Sequence, residues 1–389
     1  MRVTCLIITN MHSKMHHYIV FLCLFAANNL NAEVLKVESI VFKAKKTNID
    51  FGEPITLPFF SASQPKIAKK INDYIYIDNL KILAPVKAKD GISRKITEAD
   101  DDPIAGVTSM QYKVLLNNSK VLSLQFNSEF CGAYCEESAT DYSFDATTGR
   151  HLTVQDIFTV NGIEMLKKKV YAARVATMQQ EIKRLQKQAT KPQKNNQQKD
   201  EFEVDANDAI LLYKTCLIET AEMHKDEMKS GDTHELDYFS IDAKGLTFTY
   251  SRCSNHAMRA LDSIDKFHNH YTFQSLKPYL TTYAKHLLFN KSAKFEQPTD
   301  ITGQVFYGSI GLAPITFLIK PAEGYDRMLR ATYFYNKYRR PIELYGTGSE
   351  WTEIDSKLKN QPKIITKWQA GIAMGEWRGN KVLPLKIAP

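Results

Sequence analysis

Between Met110 and Asn127 the apolar side chains recur at every second residue. "MQYKVLLN" sets Met110, Tyr112, Val114 and Leu116 on one side. "VLSLQFN" sets Leu122, Leu124 and Phe126 on one side, with Ser123, Gln125 and Asn127 opposite. "NNSK" between the two runs is turn chemistry. Period two in both arms of so short a connection predicts an antiparallel hairpin with one buried face. The rest of the chain has to cover that face.

The flanking segments have the periods to do so. "EVLKVESIVFKAK" alternates like a strand, and "SQPKIAKKINDYIYIDNLK" predicts a helix that opens at Pro65 and gathers Ile67, Ile71, Tyr74 and Ile75 on one face. After the hairpin, Tyr142 and Phe144 alternate, Thr148-Gly149 turns, and Leu152 to Phe158 forms a short apolar anchor. Leu166, Val170, Ala173, Met178, Ile182 and Leu185 then follow a long helical period. A Lys/Gln/Asn run, "KQATKPQKNNQQKDE", breaks it and reads as a low-complexity excursion. A second helix spans about Asp205 to Lys229 with Ile210, Leu211, Cys216, Leu217 and Met223. A second hairpin, "DYFSIDAKGLTFTYSRC", follows, and a last helix is expected around Pro278 to Leu288. From about Pro298 only short strands punctuated by Gly and Pro remain, which predicts a small open sheet or barrel. The fold class is α+β: an antiparallel sheet packed with two or three helices, followed by a small all-β domain. At 389 residues the chain exceeds the usual 100–200 or so per domain. The expected division is a leader at 1–32, an α+β domain at 33–295 and a β-rich domain at 296–389.

The leader is read from "MHHYIVFLCLFAANNLNA", an apolar run from Tyr18 to Ala27 followed by a polar stretch ending at Ala32. That is the layout of a secretory signal peptide, cleaved near Ala32, and the run is too short to span a bilayer, which takes about 20 residues. A periplasmic or secreted protein without a transmembrane anchor is expected. The net charge of +8 is mild and carries no basic–aromatic stripe, so nucleic acid is not an expected partner. The acidic loop from Glu98 to Pro103 lacks the ligand spacing of a calcium loop.

Cys5 and Cys23 leave with the leader. Cys131, Cys135, Cys216 and Cys253 remain, an even number that reads as disulfides in an oxidising compartment. Of three connectivities, Cys131–Cys135 with Cys216–Cys253 is preferred, the second joining a helix to a nearby strand end. No histidine flanks Cys131 or Cys135, and their spacing is not Cys-x-x-Cys, so neither a metal nor a redox role is assigned.

"LSLQFNSEFCGAYCEESATDYSFDATTGRHLTVQDIF" resembles the exported domain shared by RsiV-type anti-sigma factors and the front part of PdaC-type peptidoglycan deacetylases. Gly132, Ala133, Phe144, Asp145, Thr148, Gly149, Leu152, Thr153, Asp156, Ile157 and Phe158 carry the match, with "INDYI" at Ile71 and the "FSIDAKGLTFTY" hairpin. The resemblance covers about residues 35–290, and the remainder resembles β-rich tails of uncharacterised secreted bacterial proteins. Where that family often has Gly-Ala-His, this chain has Gly132-Ala133-Tyr134-Cys135, so a histidine role there has no counterpart. The resemblance implies a non-catalytic module that binds envelope material: peptidoglycan, or a lysozyme-like enzyme.

Tyr134, Glu129, Glu136 and Glu137, around the cysteine loop, are the candidate partner-binding residues. No G-x-S-x-G, H-E-x-x-H or P-loop occurs, and no catalytic residue, metal or cofactor is assigned. The alternative is an accessory peptidoglycan hydrolase using paired acids near Cys131. His268 and His270 in "HNHY" read as surface residues, and Trp351, Trp368 and Trp377 as core of the β-rich part.

Overall fold

The protein is described by a computed structural model covering residues 34–42, 54–92, 106–132, 134–190, 205–289, 295–321, 328–354 and 360–389. The signal-peptide reading, the acidic loop and most of the Lys/Gln/Asn run lie outside the described residues.

The fold is α+β, with a closed barrel at its C-terminal end. A five-stranded sheet is ordered β1 (Lys36–Phe42), β2 (Ile55–Ser61), β3 (Val107–Asn117), β4 (Val121–Cys131) and β5 (Cys135–Asp145). Its pairs are antiparallel except β2 with β3, which run parallel at Ile55 and Met110. Helix α1 (Pro65–Leu80) covers one face, with Pro65 at its first turn, where its missing N–H costs nothing. Ile71, Tyr74, Ile75, Leu122, Leu124, Phe126, Tyr142 and Phe144 share that core.

The other face is covered as well, where alternation alone predicted an exposed one. Ser123 is fully buried; its hydroxyl lies 3.1 Å from that of Ser143 and accepts from the backbone N–H of Ile241 at 3.2 Å. A β-bulge between Val114 and Leu116 moves Leu116 opposite Ser123, off the face expected for it. Leu116 thereby joins a second core with α2 (Val154–Ile157), α3 (Val160–Ala189), α6 (Phe273–Leu276), α7 (Thr282–Phe289) and the sheet β6 (Phe239–Ile241), β7 (Gly245–Tyr250) and β8 (Phe267–Thr272). Helix α7 starts later than expected: Leu280 instead bridges to Phe158 and closes a turn at Pro278.

Helices α3 and α4 (Ala206–Ser230) pair lengthwise, with α5 (His234–Asp237) at one end. Their interface buries Lys167, Arg174, Glu227 and Glu235. Arg174 donates to Glu235 at 3.4 Å and to Thr220 at 3.1 Å, and its guanidinium lies 3.3 Å over the Tyr250 ring. Lys167 donates to the Glu227 carbonyl at 3.1 Å, and His224 lies 2.9 Å from Glu235. Burial, and then the Glu235 charge, push the Glu227 carboxyl up to about 7.

Strands β9 (Gln304–Ile310), β10 (Ala313–Ile319), β11 (Leu329–Tyr335), β12 (Pro341–Gly346), β13 (Glu350–Glu353), β14 (Lys363–Gln369), β15 (Ile372–Arg378) and β16 (Val382–Ala388) form the barrel, each antiparallel to the next. β16 closes on β9 with Leu385 opposite Ile310, so no strand edge is left open. Ile315, Phe317, Ile319, Tyr333 and Trp351 fill the inside. Val305, Leu318 and Phe334 instead join the core under α1, which is why β10 ends in the unbroken apolar run Phe317-Leu318-Ile319.

Residues that carried the family resemblance do structural work at these contacts. Asn72 pairs with both backbone groups of Phe60 at 2.8 Å, as a neighbouring strand would. Asp73 accepts from Ala84 N at 3.2 Å and from the Tyr307 hydroxyl of the barrel at 2.8 Å. Asp145 accepts from Thr147 N at 2.7 Å and from the Tyr283 hydroxyl at 2.6 Å, in a turn that Gly149 leaves at φ 77°. Asp156 closes a capping box with Thr153 and takes Arg150 in two bonds of 2.9 and 3.0 Å.

Candidate functional site

Strands β4 and β5 form a long hairpin whose tip is the cysteine loop. The register sets Cys131 opposite Cys135, Phe130 opposite Glu136 and Glu129 opposite Glu137. Alternation then places Glu129, Glu137 and the cysteines on one face and Phe130 with Glu136 on the other. A Cys131–Cys135 disulfide closes the tip, and Gly132 N donates to the Tyr134 carbonyl at 2.9 Å. Ala133 lies outside the described residues. Gly106 steadies the base: its carbonyl accepts from Cys131 N at 2.7 Å, its φ is 79°, and a Cβ there would strike the Phe130 ring at 2.5 Å.

The four candidate residues have different surroundings. Glu129 accepts from the Thr108 hydroxyl at 2.5 Å. Glu137 is exposed, and Tyr134 is 68% exposed. Glu136 is engaged within the chain. It forms an ion pair with Arg252, and its Oε1 lies 3.3 Å from His256 Nδ1. The Arg252 hydrogen bond, and then that of His256, hold the Glu136 carboxyl below its ordinary value. The Tyr134 ring packs on His256 with centroids 4.3 Å apart.

This contact ties the tip to the helical layer. Arg252 Nε donates to the Ser254 carbonyl at 3.1 Å, Ser254 N donates to Asp262 at 2.8 Å, and Asp262 accepts from the Tyr213 hydroxyl of α4 at 2.7 Å. A Cys216–Cys253 disulfide fastens the same segment to α4. Beside the disulfide lies a groove of about 480 Å³ lined by Leu211, Met258 and Leu261, with Asp208 and Glu219. Leu211, expected among the core residues of its helix, is 63% exposed and forms part of this groove.

Sequence reasoning did not find Arg252, His256, Asp262 or Tyr213. One signal was present: "SRCSNH" sets Arg252 and His256, both able to donate to a carboxylate, on either side of Cys253, matching the acids that follow Cys135.

The other candidates are readily placed. Oxygen and sulfur atoms of Glu129, Cys131 and Cys135 lie within 4.8 Å of one another, but both sulfurs are in the disulfide and offer no thiolate. His268 and His270 share one exposed face of β8; His268 lies 3.2 Å from the Thr249 hydroxyl, and His270 3.8 Å from Asp242. Trp351 is fully buried inside the barrel, while the Trp368 and Trp377 N–H groups donate to the Gly348 carbonyl and to Glu353, each at 2.7 Å. Among the described residues no helix is long and apolar enough to cross a membrane.

No family model matches the chain, and no curated protein matches it. Among solved structures it is similar to a DUF3298 family member from Bacteroides fragilis NCTC 9343, at 14% identity and a TM-score of 0.40, over 67% of this chain and 100% of that one. It is also similar to a DUF3298 family protein from Pseudomonas aeruginosa PAO1, at 10% identity and a TM-score of 0.35, over 65% of this chain and 97% of that one. Both values are low for each, and the fold rests on the strand pairings themselves.

Proposed function

We propose that the chain is an exported, non-catalytic binding module of a bacterial envelope, and that the β4–β5 tip with its adjoining groove contacts a lysozyme-like enzyme. The reading includes removal of residues 1–32 and a division into an α+β domain at 33–295 and a β-rich domain at 296–389. The observation that carries it is the shape of the tip. A doubly anchored hairpin end projects Tyr134 and Glu137 into solvent. A rigid convex element with an aromatic anchor and acidic groups suits a basic enzyme that has a concave face. Asp208 and Glu219 extend the acidic character along the groove.

Peptidoglycan itself is the second partner class. The hydrolase alternative has one supporting observation, the direct opposition of Glu129 and Glu137. Those acids sit on a convex strand end, whereas glycoside hydrolysis needs carboxylates flanking a bound sugar.

Retention of the full chain on immobilised lysozyme and on purified sacculi, alongside a sacculus turnover assay, separates the three. The expected result is lysozyme retention that weakens with salt and falls about tenfold in Tyr134→Ala or Glu137→Gln. Binding to sacculi alone moves the partner to peptidoglycan. Turnover that disappears in Glu136→Gln or Glu137→Gln overturns the binding-only reading, and absence of any binding overturns the proposal.

A further inference from the structure

Each barrel strand runs antiparallel to the next, so the connections β9–β10, β11–β12 and β15–β16 fall at one end. Leu312 is fully exposed at the first, Tyr338 is 65% exposed at the second, and Val382 is 63% exposed where the third enters β16. Lys337 and Arg340 lie on either side of Tyr338, and Lys381 precedes Val382. We propose that this end of the barrel docks on the surface of an anionic lipid bilayer. Leu312, Tyr338 and Val382 enter the headgroup layer, and the neighbouring cations meet lipid phosphates.

The position of the apolar side chains is the first observation. Turns favour small and polar residues. At the opposite end of the barrel, positions 347–349 and 370–371 are Thr-Gly-Ser and Ala-Gly, with no large apolar side chain. A single exposed leucine is ordinary, but these three connections are consecutive around the rim, since β16 pairs with β9 and β10 with β11. Together they make an apolar patch, and such a patch marks a protein or membrane contact.

The turns are also held in place. Ile310 pairs with Ala313, leaving a two-residue turn in which Gly311 has φ 57°. Gly311 N donates to the Pro384 carbonyl of β16 at 2.7 Å, and Gly379 N to the Lys381 carbonyl at 3.0 Å. Asn336 N donates to the Pro314 carbonyl of β10 at 2.9 Å. Arg339 donates to the Leu83 and Ala84 carbonyls beyond α1 at 2.8 and 3.1 Å. Backbone bonds thus keep the tips extended, and turns already ordered lose little freedom on docking.

Charge selects the partner. Positions 311–312, 336–340 and 379–381 hold four cations, Lys337, Arg339, Arg340 and Lys381, and no acid. The carbonyls that hold Arg339 leave its charge in place. A protein face would have to match the spacing of three separate tips. A bilayer accepts apolar tips at any lateral spacing, while its phosphates stay level with the cations around them. Tyr338 combines an apolar ring with a hydroxyl, the form favoured at headgroup depth.

Co-sedimentation of the full chain with vesicles of phosphatidylcholine, alone or with about a quarter phosphatidylglycerol, tests the assignment. The anionic vesicles are expected to bind about tenfold more tightly, and high salt to release the protein. Leu312→Ser/Val382→Ser and Lys337→Gln/Lys381→Gln are each expected to lower partitioning about tenfold. Circular dichroism checks that the variants are folded, and Tyr338→Ser is a second apolar variant. The apolar run from Tyr18 to Ala27 is common to all of them, so the comparison isolates the rim. Equal binding to both vesicle compositions, or undiminished binding by the folded variants, overturns the proposal. Binding that is lost only in the cation variant assigns the rim to an anionic polymer or protein and overturns the bilayer. None of these results depends on whether lysozyme binds the hairpin tip.

Discussion

In the barrel, the buried carboxyl of Glu353 on β13 accepts from the Tyr333 hydroxyl of β11 at 2.6 Å and the Trp377 N–H of β15 at 2.7 Å, two neutral donors. In the helical layer, Glu227 and Glu235 are buried near each other, beside Lys167, Arg174 and His224. The barrel also has no free strand edge and no cysteine, whereas the helical layer is fastened by Cys216–Cys253. The difference is one of what holds each region. Closure and packing hold the barrel, and covalent and ionic links hold the helices. The first should be indifferent to reductant and mild pH change, and the second should respond to both.

The tryptophans make the comparison measurable, because all three lie in barrel strands β13, β14 and β15. Indole fluorescence follows the barrel, and helical dichroism follows the other region. The largest effect is expected for Trp351→Ala, which empties the barrel centre: up to about 5 kcal/mol lost in denaturant unfolding. Cys216→Ser/Cys253→Ser comes next. The bond closes a separation of 37 residues, and releasing it should cost about 4 kcal/mol on chain-entropy grounds. In that variant helical dichroism should melt before indole fluorescence changes. Coincident transitions would mean that the core shared by α1, Val305, Leu318 and Phe334 couples the two regions.

Glu227 sets a smaller, pH-dependent effect. Its carboxyl is raised from 4.5 to about 7 in the folded chain, so between those values the folded state holds more protons than the unfolded. Stability should therefore fall as pH rises from about 4.5 to about 7, by about 2–3 kcal/mol, and level off above. Glu227→Gln should remove that fall; an unchanged pH profile would show that Lys167 and Arg174 already compensate the charge.

The smallest effect belongs to Glu136→Gln. Glu136 is held below its ordinary value, so its ion pair is present above the unfolded value and is lost as pH falls through the folded one. Because the pair is exposed, global stability should hardly change. Amide exchange at Tyr134 and Glu136 should quicken while the disulfide persists. Unchanged exchange would assign the order of the tip to the Cys131–Cys135 bond alone.

Much of the fold was legible because period and punctuation are local. Pro65 opens α1, Asp205 caps α4 by accepting from Asn207 N at 2.8 Å, and Gly231 ends that helix at φ 78°. The bulge beside Leu116 and the burial of Ser123 were not legible, since both depend on a second sheet brought in from more than a hundred residues away. The hairpin tip was legible as a cysteine loop with acids. Its engagement of Glu136 was not, because Arg252 and His256 are 116 and 120 residues distant and meet it only once α4 and the Cys253 segment are in place.

Local sequence was enough to specify the strands, the helices, their caps and the change of texture near Pro298, because hydrophobic period and turn chemistry act over a few residues. Tertiary structure decided which acids remain available. Glu136, Glu227 and Glu353 look alike in sequence, yet one meets an arginine at the surface, one a second glutamate in a helix interface, and one two neutral donors inside a barrel. Charge interactions depend on distance and burial, and these are set only when distant parts of the chain pack together.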